Sequence, residues 1–424
     1  MKTTTFERIV KTLGPGILFA STAIGVSHLV QSTRAGAQYG FSLVGLIIMA
    51  NVLKYPFFEF GSRYANATGS SLIDGYFRIS KWILWLYFFI TLSSMFFVTA
   101  AVGAVTSGFL DNLFKINTLS DNSFQITTVF LFFICFFILY TGKYNLLDKM
   151  IKIIGAALLI TTVIAFTLTV IHGPQHTSAL FPPVNFNDTS TIAFIIALMG
   201  WMPTAVDLST WNSLWTVERI KQTDFRPSLR ETLAEFNFGY WVSALLSLCF
   251  VTMGAFLVFG SQETMPDKSH LFANKVVELY TATIGKWSYP LIAASAFSIM
   301  FGTAIAVFDG YARAMERTCK LLLLSPEKST ESLNNNTIYR IVLVILCIGS
   351  LVIILQFGKS LKKLVDLATT ISFLIAPVVA VINYRLVSKK YIHPNYVPGK
   401  IMHVLSWLGI IFLTGFSVFY LLSL

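Results

Sequence analysis

Apolar runs of about twenty residues, the length a helix needs to cross a bilayer, recur along the whole of this 424-residue chain with only short polar connections between them. They fall at Leu13–Tyr39, Phe41–Tyr64, Ile83–Leu110, Gln125–Tyr140, Met150–Ile171, Ala193–Leu214, Phe236–Phe259, Tyr289–Ala314, Ile338–Leu355, Leu364–Leu386 and Met402–Leu422. The pattern predicts an all-α membrane protein with about 11 transmembrane helices. Composition excludes the soluble alternative, since 55% of residues are hydrophobic and only 12% charged. The net charge of +11 does not indicate a nucleic-acid partner, because Lys and Arg are spread in short clusters between the apolar runs. Cys135, Cys249, Cys319 and Cys347 are far apart, so neither a zinc site nor a disulfide framework is expected, and no cofactor is indicated.

Two of the runs are interrupted in the middle. Leu13–Tyr39 is broken by the turn-prone Gly25-Val26-Ser27-His28, and Ala193–Leu214 carries Gly200 and Pro203 at its centre. Unwinding a helix at mid-membrane depth frees backbone groups, which only a cavity or protein partner can satisfy, so such breaks mark a transporter's binding site. They are the first and sixth segments. The chain therefore reads as a single polytopic transporter domain with a LeuT-like inverted five-plus-five repeat, helices 1–5 over about 13–172, helices 6–10 over about 190–388 and an appended helix over about 401–423.

Loop charge sets the orientation. With the amino terminus inside, the inner face receives Arg8, Lys11, Arg63, Arg78, Arg226, Arg230 and Arg317 among others, and the outer face only a few, such as Lys115, Lys268 and Lys362. An odd number of spans places Leu424 outside, and a plasma (inner) membrane is the expected location. The first run ends in Gln31-Ser32-Thr33-Arg34 without a small-x-small cleavage site, which reads as an anchored span rather than a secretory leader. The longest connections, about 260–287 and 320–337, are read as loops. No phosphate-binding Gly-x-x-x-x-Gly-Lys-Ser/Thr loop and no nucleophile–base arrangement occurs, so neither ATP-driven transport nor an enzyme is expected.

Several motifs in order give a family. Gly14-Pro15-Gly16-Ile17-Leu18, Ala35-Gly36-Ala37-Gln38-Tyr39-Gly40, Ala67-Thr68-Gly69, Gly142-Lys143-Tyr144 with Asp148, Met202-Pro203 and Pro377 together resemble the Nramp family of divalent-metal transporters over most of the chain. The resemblance implies proton-driven import of Mn²⁺ or Fe²⁺. It also implies ligands at the break of helix 1, where the family carries Asp-Pro-Gly-Asn and this chain has Gly25, Val26, Ser27 and His28. In helix 6 the family's Met-Pro-His becomes Met202-Pro203-Thr204, and a family glutamine in helix 10 falls on Thr369. The third span, acidic in the family, has no Asp or Glu between Ile83 and Leu110.

The substrate-binding candidates are therefore Thr22, Gly25, Ser27, His28, Met199, Met202, Thr204 and Thr369, with carbonyls near Thr22 and Met199 as additional oxygen donors. His28, Met202 and Asp207 are the metal candidates, and His28 and Asp207 the coupling candidates. A thioether discriminates against hard ions such as Ca²⁺. A dication without a nearby carboxylate is poorly compensated in a low-dielectric cavity, so the missing Asp outweighs the other changes. Asp207 is either a relocated ligand or proton acceptor, or a hydrogen-bonded partner of its half-helix. His28 is a metal ligand, a proton carrier or simply a hydrogen-bonded ring. Trp201, Trp211 and Trp215 either hold an organic cation or pack. Arg34 either meets a substrate carboxylate or pairs with an acid such as Asp366, whereas Glu59–Arg63 and Asp309–Arg313, spaced i, i+4, read as structural pairs. The expected function is a secondary transporter with a rebuilt site and altered or absent proton coupling, its partners a small solute or metal ion and the lipid bilayer. A carrier of an organic solute and a non-transporting sensor are the alternatives.

Overall fold

A computed structural model describes residues 5–118, 122–141, 159–176, 179–261, 265–323, 337–357 and 360–423, which are helical with no strand among them. Eight helices among the described residues are long and apolar enough to cross a membrane, making this an integral membrane protein: α4 (Val44–Thr68), α6 (Lys81–Phe114), α7 (Ser123–Thr141), α11 (Leu229–Leu257), α13 (Tyr289–Leu323), α14 (Thr337–Phe357), α15 (Leu361–Leu386) and α16 (Lys400–Ser423). A shorter apolar helix, α8, covers Leu159–His172. The motif residues Gly142, Lys143, Tyr144 and Asp148 lie outside the described residues.

Both interrupted runs are broken helices. The first is α2 (Pro15–Ala23), a wide turn over Ser27–Ser32 with π-helical spacing, and α3 (Thr33–Tyr39). Gly25 sits where the first half ends, and the Ser27 hydroxyl donates to the Ala23 carbonyl at 2.6 Å, satisfying an acceptor that the helix itself has released. The second is α9 (Thr189–Gly200), an unwound stretch through Pro203, and α10 (Ser209–Thr223), reached by a short turn at Val206–Leu208. Pro203 has no N–H to continue the ladder. Asp188 starts α9 by accepting from the backbone N–H of Thr191 at 3.1 Å, and the Ser190 and Thr191 side chains hold its carboxyl below the usual carboxylate range.

The broken helices are gripped by close-packed neighbours. α3 lies against α11 so tightly that a Cβ on Gly36 would fall 2.0 Å from the Val251 carbonyl, and Gly254 faces the Thr33 carbonyl in the same way. α9 meets α15 through Gly200, whose added Cβ would reach within 2.1 Å of the Thr369 carbonyl. Small residues permit such approach where no hydrophobic force drives helices together in lipid. α6 and α13, the longest pair, form the other wall of the core.

Two expectations need correction. The connection at 260–287 contains a helix, α12 (Ser269–Ile284), because Phe272, Val276, Val277 and Tyr280 recur at helical spacing and bury one face. Short helices also occur before and after the early spans: α1 (Thr5–Thr12) and α5 (Leu72–Ile79), the latter started by a capping box of Ser71 and Asp74. The third helix runs past Leu110 and includes the buried Asp111, whose carboxylate accepts from the Asn117 N–H at 2.6 Å and the Ser123 hydroxyl at 2.9 Å and so ties the helix end to the following loop.

Candidate transport site

The two breaks face one another across a small cavity of about 20 Å³ lined by Thr22, Ser27, Trp201, Thr204 and Thr303, with Val and Leu side chains closing the rest. That volume holds one water-sized guest. Its polar lining is hydroxylic: the Thr303 hydroxyl donates to the Ser21 carbonyl at 2.8 Å and Thr22 donates to the Leu18 carbonyl at 2.7 Å, so each oxygen keeps acceptor capacity. Gly25 lies against Thr303, where a Cβ would be 2.8 Å from the methyl.

The remaining candidates stand around this cavity rather than in its lining. His28 is fully buried and both ring nitrogens are engaged, Nδ1 at 2.7 Å from the Ser27 hydroxyl and Nε2 at 2.8 Å from the Ser243 carbonyl of α11. Met202 is wholly buried in the unwound stretch. Asp207 is 3% exposed at the entrance to α10, and its Oδ1 has no hydrogen-bond partner among the described residues. The Thr369 hydroxyl is turned onto its own helix, donating to the Val365 carbonyl at 2.8 Å, beneath Gln31. Met199 contributes a carbonyl, and the recipient is a residue that the sequence reading passed over. Lys54 of α4 reaches in from the opposite side of the break, and its ammonium donates to the carbonyls of Met199 at 3.0 Å, Gly200 at 3.0 Å and Thr204 at 2.8 Å. A lysine inside an apolar span is itself the signal, since intramembrane charge carries a cost that function or pairing must offset.

Charged groups tie both broken helices to their neighbours. On α3 Arg34 makes a two-pronged ion pair with Asp366 of α15, 2.6 Å and 3.0 Å, and Gln31 donates to the same carboxylate at 2.9 Å. This resolves the open question about Arg34 in favour of Asp366. At the start of the first broken helix Glu235 of α11 accepts from the N–H groups of Gly14 at 2.9 Å and Gly16 at 2.8 Å, holding α2 with a carboxylate where the helix dipole favours one. Arg8 pairs with Glu231 beside it at 2.9 Å and 3.0 Å. The tryptophans separate by role. Trp201 lines the cavity and donates to the Ser372 hydroxyl at 2.9 Å, whereas Trp211 packs edge-on to Tyr311 and Trp215. Glu59–Arg63 and Asp309–Arg313 form the expected i, i+4 pairs.

Two broken helices that meet at a small cavity, in an all-helical membrane chain, define the LeuT-like class of secondary transporters. Solved structures agree. A point mutant of the Eremococcus coleocola manganese transporter superposes with a TM-score of 0.67 at 13% identity, covering 99% of this chain and 87% of that one. The nucleobase-cation-symport-1 transporter Mhp1 gives 0.56 at 13%, covering 97% and 91%. The family model for natural resistance-associated macrophage protein-like (Nramp) proteins matches residues 16–423, and the chain belongs to that family. An uncharacterised protein of Pasteurella multocida is 35% identical over 96% of this chain and 91% of its own length.

Proposed function

We propose that this protein is a secondary transporter that carries a divalent transition-metal ion, Mn²⁺ or Fe²⁺, by alternating access across a plasma membrane, with its amino terminus cytoplasmic and its carboxyl terminus outside, and that it performs no enzymatic reaction. The observation that carries the reading is the one-guest cavity at the meeting point of the two breaks, lined by Thr22 and Ser27 from the first and Trp201 and Thr204 from the second. Family membership and the fold shared with a manganese transporter support the substrate class. The cavity's size disfavours an organic solute, whose pocket would measure about 300 Å³ or more.

The Thr22, Ser27 and Thr204 hydroxyls supply the oxygen donors. Met202 and His28, on the walls of the two breaks, would add a thioether and an imidazole if the cycle turned them inward. A shell of neutral donors leaves the dication's charge uncompensated, and Asp207 is the buried acid on the same break whose charge offsets part of it. Affinity is therefore lower than at a carboxylate site. With no acid in the lining, the ion moves without a stoichiometric proton.

The test is uptake into proteoliposomes loaded with a Mn²⁺-quenched dye, with pH followed in parallel. Saturable quenching without acidification is expected. Quenching no faster than in empty liposomes would overturn the proposal.

A further inference from the structure

Lys54 sits midway along α4 with its side chain fully out of solvent, and each of its ammonium protons has a carbonyl to meet. Three carbonyls serve three donors, so the group is saturated without a carboxylate. Two of the carbonyls, from Met199 and Gly200, are the last of α9, where the helix dipole is negative; Met199 also accepts from the Met202 N–H at 3.3 Å. The third, from Thr204, belongs to the unwound stretch. Unwound carbonyls together with a half-helix carboxyl end are the arrangement that binds a free alkali cation in transporters with broken helices. Here the ammonium fills it.

We propose that Lys54 is a tethered replacement for a monovalent co-ion: its ammonium permanently occupies the alkali-cation site at the break of helix 6, so that the protein neither binds nor requires Na⁺ or K⁺ there. The buried Asp207 lies three residues beyond Thr204 on the same break. Thr204 links this site to the cargo, since its carbonyl meets Lys54 while its side chain lines the cavity. A guest in the cavity and the ammonium behind it thus share one residue. A free co-ion would have to arrive and leave in each cycle, whereas the tethered one stays with α4.

The experiment reads thermal stability of the purified full-length protein in buffers matched in ionic strength but containing Na⁺, K⁺ or N-methyl-D-glucamine as the monovalent cation. The wild type is expected to melt at the same temperature in all three. Lys54→Met keeps an unbranched side chain but takes away the ammonium from three buried carbonyls and leaves those of Gly200 and Thr204 without a donor, so it should melt several degrees lower in N-methyl-D-glucamine and recover saturably with added Na⁺ or K⁺. Lys54→Gln, whose amide can still donate to two carbonyls, carries the same comparison should the Met variant yield no folded protein. A wild type stabilised by Na⁺ or K⁺ would overturn the proposal, as would folded Lys54 variants that ignore both ions. Because melting is read rather than flux, a failure of Mn²⁺ transport would refute the proposed cargo without touching this inference.

Discussion

Replacing Asp366 by Asn should open the outer side of the transporter. Arg34 is 6% exposed at its side chain and Asp366 33%, so the pair lies between a surface bridge, worth about 0–1 kcal/mol, and a buried one, whose breakage costs about 3–5 kcal/mol. A figure of about 2 kcal/mol follows, and the two prongs and the Gln31 bond to the same carboxylate keep it from being smaller. If the pair exists only when the outer path is closed, its loss shifts the closed-to-open ratio by roughly 30-fold. Thr369, one turn further along α15 and fully buried, is the place to read the shift. A Thr369→Cys reporter in a Cys319→Ser background should react with a membrane-impermeant maleimide about 30-fold faster when Asp366→Asn is added. Background is low because Cys135, Cys249 and Cys347 are buried. Labelling within twofold of the parent would show that the ion pair is not the outer closure.

Other perturbations address the rest of the frame. Glu235→Gln removes the charge that accepts from Gly14 and Gly16, and should lower stability by about 1–2 kcal/mol, visible as a lower melting temperature with faster labelling from the inner side. Gly36→Val drives a side chain into the Val251 carbonyl, an overpacking of about 3 kcal/mol or more, and should abolish the monodisperse peak in fluorescence-detected size exclusion; an unchanged peak would contradict the α3–α11 contact. No group of three or more His, Cys, Asp or Glu able to hold a structural metal occurs among the described residues. Treatment with EDTA should therefore leave the melting temperature unchanged.

Much of this architecture was legible from apolar run length and from the two breaks, because a span in lipid must be long, continuous and apolar. The ends of α11 and α13 extend beyond the apolar runs, since their polar first and last turns continue as helix outside the hydrocarbon. α12 escaped notice because its pattern is amphipathic rather than uniformly apolar. Within the site, Thr22, Ser27 and Thr204 were found from their place at the breaks, and the structure brings them together. Lys54 was not found, because its role depends on carbonyls 145 to 150 residues away in sequence that no side-chain pattern reveals. His28 was named from its place at the first break, but its partner, the Ser243 carbonyl 215 residues on, was not. Arg34 had two readings until packing placed Asp366 opposite it.

The central claim is that a single metal ion occupies the cavity between the two breaks. Titration of the purified protein with Mn²⁺, followed by electron paramagnetic resonance of the free ion, tests it most directly when Thr204→Val is run beside the wild type. One Mn²⁺ bound per chain, with affinity reduced about 10-fold by loss of the Thr204 hydroxyl, is the predicted result. Absence of saturable binding at millimolar Mn²⁺, or binding indifferent to Thr204, would contradict the account.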